Sequence, residues 1–167
     1  GFSPFPMVCY MAGYRQYVLG NNTLALEYLQ RACRMAAEEG YAHVMLLCYV
    51  TMGNCYSNTR ELRQMEKHYT IARRLAQDLH RDEILRGIDY NLASSRLECG
   101  DTAAAYGYFS ALAAPGIMDL HKLAICHEQL GHREQALAAV QQAEPMASGE
   151  MEQRMLALVR YRLEHPD

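Results

Sequence analysis

The chain has 167 residues, of which 50% are hydrophobic and 21% charged, with a net charge of −3. That is the balance of a globular domain large enough to bury a core, and it argues against a basic nucleic-acid footprint. No apolar run approaches the ~20 residues of a membrane span, and the opening "GFSPFP" lacks the basic and apolar blocks of a signal peptide.

Residues 1–5 read as a leader or linker, and a chain that begins with Gly1 reads as a fragment of a longer protein. From there the spacing of apolar residues at three and four predicts helices and offers no window for a strand. The first two fall near 6–19 and 22–39, with Asn22 expected to cap a start at Thr23. Tyr10, Tyr14 and Tyr17 share one stripe of the first. The third helix, 41–57, carries Leu46, Tyr49, Val50, Gly53 and Tyr56. The fourth, 60–79, is preceded by Asn58 and Glu61 at capping-box spacing. Its arginines alternate with acids, as on a solvated face.

A fifth helix covers 82–99 and a sixth 102–113, with Asp101 as cap and Pro115–Gly116 as the stop. The run Ala103, Ala104, Ala105 and Gly107 predicts that another backbone lies close against this helix. Helices near 117–130, 133–146 and 149–164 complete the chain. Ser148 is expected to cap the last, and Met151, Met155, Leu158 and Val159 to cover the preceding pair.

The elements repeat. Small residues recur at Gly13, Gly53, Ala93 and Ala124, and bulky ones at Leu29, Tyr69, Phe109 and Val140. Ala25, Met65, Ala105 and Ala136 form a third column. The interval is 40, 40 and then 31 residues, the last shortened by the early stop at Pro115. Several columns sharing one offset are the mark of stacked helix pairs, none of which can bury its apolar face alone.

Four segments carry the pattern: "MAGYRQYVLGNNTLALEYLQRA", "TMGNCYSNTRELRQMEKHYTIA", "NLASSRLECGDTAAAYGYFSAL" and "KLAICHEQLGHREQALAAVQQA". Together they resemble the tetratricopeptide repeat (TPR), although the family's usual unit has 34 residues. The 40-residue spacing is similar to that in sensor domains of bacterial transcription regulators, including peptide-sensing ones. The resemblance implies an all-α, right-handed superhelical solenoid of about four antiparallel pairs (6–39, 41–79, 82–113 and 117–146) plus a C-terminal capping helix, 149–164. It also implies that first helices line a concave groove, which would be the ligand-binding surface.

On that basis the candidate groove residues are Tyr10, Tyr14 and Tyr17, then Val50 and Asn54, then Tyr90, Asn91 and Ser94, and finally His121. Tyrosine combines rigid apolar area with a hydroxyl. The Asn54 and Asn91 amides can match a peptide's C=O and N–H, as groove asparagines do in peptide-binding members of the family. The expected partner is an extended peptide or protein segment, the module being the sensor or scaffold part of a larger regulator. The alternative is self-association or packing within the parent chain with no separate ligand. The tyrosines would then pack on upstream chain or on Phe2 and Phe5, and a homodimer through the final helix is a further expectation.

The expectation for chemistry is negative. "HEQLGH" (His127–His132) separates its histidines by five residues rather than the four that put two ligands on one helical face. No nucleophile elbow or phosphate-binding loop occurs, so no catalytic residue, metal or cofactor is assigned. Six cysteines without a CxxC read as buried, reduced thiols of a cytoplasmic protein. Neither nucleic acid nor membrane is an expected partner.

Overall fold

The computed structural model describes residues 4–167. Among these the chain forms nine α-helices and no strand: α1 (Phe5–Val18), α2 (Asn22–Glu39), α3 (Ala42–Asn58), α4 (Leu62–Asp78), α5 (Asp82–Glu98), α6 (Thr102–Ser110), α7 (Ile117–Gln129), α8 (Arg133–Ala143) and α9 (Glu150–Glu164). A single 3-10 turn, Glu144–Met146, follows α8. Within α1–α4 and within α6–α9 each helix packs on the next in the chain. The chain divides into two compact units, one ending at Leu92 and the other beginning at Ala93, with the border inside α5. No helix is long and apolar enough to cross a membrane.

One turn geometry generates the hairpins. Gly20, Gly40, Arg60, His80, Gly100 and Gly131 all take left-handed backbone angles, with φ between 55° and 88°. At each, the left-handed residue donates its N–H to the carbonyl three residues back, and the next residue donates to the carbonyl five back. The second set is Asn21 to Gln16 (2.9 Å), Tyr41 to Ala36 (2.8 Å), Glu61 to Tyr56 (2.9 Å), Arg81 to Ala76 (2.8 Å), Asp101 to Arg96 (2.8 Å) and His132 to His127 (2.8 Å). This is the Schellman arrangement, which satisfies the last carbonyls of the outgoing helix. The carbonyl of the closing residue also accepts the first i→i−4 bond of the next helix, from its fourth residue, as in Asn21 with Ala25 and His132 with Ala136. A helix thus ends and its successor starts with only two or three residues between them.

Side-chain caps are rarer than the sequence suggested. Asp101 does accept from the Ala104 N–H. Asn22 is instead the first helical residue, behind Asn21. Asn58 is the last residue of α3, and Glu61 takes the cap position of α4, so no capping box forms there. Gly149, not Ser148, precedes α9. At Asn22 and Asn58 the backbone turn already fixes the boundary, one residue or more from where the polar side chain pointed.

Within the first unit α1 packs on α2, α2 on α3, α3 on α4, and α1 also touches α3. The decisive contacts pair a glycine with a bulky side chain. A Cβ on Gly13 would lie 2.9 Å from Leu29 Cγ, and one on Gly53 would lie 2.4 Å from Tyr69 Cε1. Ala25, Leu29, Ala32, Ala36, Val44, Cys48 and Met52 fill one core cluster. Leu46, Met65, Tyr69, Ala72, Ala76 and Ile88 fill the next, which joins α5 to α3 and α4.

In the second unit Ala93, Ala105 and Phe109 are buried. Leu120, Ala124, Ala136, Val140 and Ala143 share a core with Leu156, Val159 and Leu163 of α9. The covering face of α9 is therefore rotated from the expected one: Met151 is 85% exposed and Leu158 is exposed, while Val159 alone of the predicted set is fully buried. Arginines anchor α9 from its polar side. Arg162 donates twice to Glu128 (2.9 and 3.0 Å), and Arg160 twice to Glu144 (2.6 and 3.0 Å).

The reading of α6 also needs correction. Of its small residues only Ala105 is buried; Ala103, Ala104 and Gly107 are exposed, and nothing lies within 4 Å of a Cβ built on Gly107. One alanine makes the close approach, and the others are surface filler. The helix also stops at Ser110, well before Pro115.

Two expectations follow from these contacts. Gly53→Ala should destabilise the protein by about 1–3 kcal/mol, because the Tyr69 ring is buried and cannot withdraw, whereas Gly107→Ala should stabilise it by up to about 1 kcal/mol through helix propensity; urea unfolding of the two variants checks the opposite signs. His80→Gly, at an exposed left-handed position, should raise stability by up to about 1 kcal/mol by relieving the Cβ strain, read as a higher thermal midpoint.

Candidate functional site

Seven of the nine residues singled out belong to the first unit. On α1, the ring centroids of Tyr10 and Tyr14 are 6.0 Å apart and those of Tyr14 and Tyr17 are 5.8 Å apart. The stripe is thus a continuous aromatic strip, with Tyr14 at its centre and 46% exposed. Its outer members, Tyr10 and Tyr17, are partly buried against the first core cluster. Burial pushes both phenols above their ordinary pKa, so each stays neutral and available as a hydrogen-bonding group. Val50 is half-buried and packs on the neighbouring core.

Asn54 and Asn91 are drawn together by a residue read from the sequence as core. Tyr69, 1% exposed, donates its hydroxyl to Asn54 Oδ1 (2.5 Å) and accepts from Asn91 Nδ2 (3.3 Å). Burial raises the Tyr69 phenol to about 12. A buried phenol needs a partner, and this one takes two amides. Each amide keeps further hydrogen-bonding capacity, since an asparagine has two donors and two acceptor positions. Tyr69 is the site residue that sequence reasoning missed. The available signal was a tyrosine in a column otherwise filled by Leu, Phe and Val. Beside the site, Arg73 donates to Asp89 at 2.7 Å, which ties α4 to α5. Tyr90 is half-buried on the same helix as Asn91.

Phe5 is exposed, so it does not cover the tyrosines. Phe2, the other proposed cover, lies outside the described residues.

Ser94 and His121 belong to the second unit. Both hold a buried polar atom, Ser94 Oγ and His121 Nδ1, without a hydrogen-bond partner, as does His127 at Nδ1. Burial, then the charges of Lys122 and Arg162, hold the His121 imidazole down to about 4. Burial and His132 lower His127 as well. The His127 ring stands edge-on to Tyr106 at 5.2 Å and 5.7 Å from His132. The left-handed Gly131 separates the two histidines, His132 sitting at the start of α8. Among the described residues no group of three or more His, Cys, Asp or Glu is placed to hold a metal ion.

Comparison with family models and with curated proteins finds no match to this chain.

His121 makes stability depend on pH. Its folded pKa, about 4, lies below the unfolded value near 6.5, so the unfolded chain binds the extra proton between the two. Stability is then full above pH ~6.5 and falls as pH drops toward ~4. Urea unfolding at pH 7.5 and pH 4.5 should show the loss, and His121→Gln should reduce it.

Proposed function

We propose that the chain is a TPR-type interaction module, its helix pairs continuing as a right-handed superhelical solenoid, and that it binds an extended peptide or protein segment. The observation that carries the reading is the set of amides and phenols in the first unit. Asn54 and Asn91 are oriented by one buried hydroxyl, next to an aromatic strip whose central ring is open to solvent. An extended segment presents C=O and N–H groups at intervals and apolar side chains between them. Oriented amides serve the first and tyrosine faces the second, at little cost in side-chain ordering. The role is binding rather than catalysis, in a cytoplasmic setting argued from cysteine usage, as the sensor or scaffold part of a larger regulator.

A second reading, self-association, draws on a different observation. The α1 helix and the residue that follows it also expose Val8, Met11, Val18 and Leu19, an apolar set such as a stacked helix would cover.

Selection from a peptide library, followed by titration of the selected peptides, tests the first reading. Tyr14→Ala and Asn91→Ala should each weaken binding about tenfold or more while leaving the thermal midpoint within a few degrees. Equal affinity for wild type and both variants would remove the site. Light scattering addresses the second: a dimer that Met11→Glu converts to monomer supports it, and a strict monomer rejects it.

A further inference from the structure

Asn91, Tyr69 and Asn54 form a hydrogen-bonded chain across three helices of the first unit. The Asn91 Nδ2 amide, on α5, donates to the Tyr69 hydroxyl at 3.3 Å. That hydroxyl, on α4, donates to Asn54 Oδ1, on α3, at 2.5 Å. Tyr69 is 1% exposed, and its ring is held against Gly53. Both asparagines are half-buried, at the edge of the core rather than inside it.

A hydroxyl has a single proton to give. The Tyr69 proton goes to Asn54, and the same oxygen accepts from Asn91, so the two amides turn opposite groups toward it. They therefore keep opposite groups for another partner. Asn54 has used an acceptor position and retains both hydrogens of Nδ2, whereas Asn91 has used one hydrogen and retains the whole of Oδ1. The donor and the acceptor lie on different helices, each amide one hydrogen bond from the same oxygen.

We propose that this pair binds one internal residue of an extended ligand backbone with fixed polarity, the C=O taken by Asn54 Nδ2 and the N–H by Asn91 Oδ1, and that Tyr69 is the positioning residue. The inference rests on the peptide-binding reading and narrows its ligand class. In an extended chain the N–H and C=O of one residue point to the same side, as when antiparallel strands exchange both bonds. The two amides meet that edge as a strand partner would. A chain-terminal carboxylate offers acceptors only. It would satisfy Asn54 but set its charge against Asn91 Oδ1. Arg73, one turn along α4 from Tyr69, is already bonded to Asp89 at 2.7 Å and does not supply the opposing charge. A backbone ester lacks the N–H and likewise sets an oxygen against Oδ1.

The probe is a peptide selected from a random library on the wild-type chain. It is made with a carboxylate end, with a carboxamide end, and as a series in which one backbone N–H at a time is replaced by an ester oxygen. On the wild-type chain an ester at one position should cost about tenfold in affinity, and amidation of the end should cost nothing. That ester penalty should vanish in Asn91→Ala and in Tyr69→Phe, which keeps the ring over Gly53 and removes only the hydroxyl. A merely structural role for Tyr69 would weaken peptide and ester alike and leave the penalty in place. If no selected peptide loses affinity in Asn91→Ala, the peptide-binding site falls and this inference with it. Binding that needs Asn91 but shows no sensitive ester, keeps the penalty in Tyr69→Phe, or is lost on amidation overturns the polarity alone. Wild type against Asn91→Ala decides the point even if Tyr69→Phe does not fold.

Discussion

The structure depends on the room that a small residue in one helix leaves for a bulky one in the next. Gly13 faces Leu29 and Gly53 faces Tyr69, and in both cases a single added carbon would collide. The separation is sixteen residues, and the same interval links Ala93 to Phe109 and Ala124 to Val140 in the second unit, all four of them buried. Helix pairing follows, since a bulky chain seated over a glycine fixes both depth and rotation. The rest of each core then fills with alanine, leucine, valine and cysteine around that seat.

Much of this order was legible because it is one-dimensional. Fixed intervals between small and bulky positions survive translation into sequence, and periodicity at three and four names the elements. Local boundaries were less legible. Arg60 and His80 take the same left-handed geometry as the turn glycines, and nothing in their side chains announces it. The backbone hydrogen bonds of the turn tolerate the unfavourable φ there. Polar residues placed to cap, such as Asn22 and Asn58, were therefore passed over. The face of α9 was misread for a related reason. Its methionines look like core, but the rotation of a final helix is set by tertiary partners, and Leu156, Val159 and Leu163 win the buried positions.

The candidate site shows the same division. The tyrosine strip on α1 is visible as spacing within a single helix. The joining of Asn54 to Asn91 is not, because it runs through Tyr69 on an intervening helix and depends on a hydroxyl whose needs appear only once the ring is buried. The residue that fills the seat above Gly53 thus also orients the amides, so core packing and the placement of the two amides share one side chain. That coupling gives a tyrosine at position 69 a use that a phenylalanine would lack, and it ties the geometry of the amide pair to the integrity of the core beneath it.

The short connections, two or three residues each, also limit how the chain can change length. An inserted residue in such a joint would turn the following helix by roughly 100° about its axis and swing every seat away from its occupant. Growth or loss is therefore confined to stretches outside the joints. The segment between Ser110 and Ile117 is such a stretch: α6 has 9 residues where α2 has 18 and α4 has 17. Here the chain drops two helical turns and re-enters the same register at Ala124, with an irregular passage absorbing the deletion.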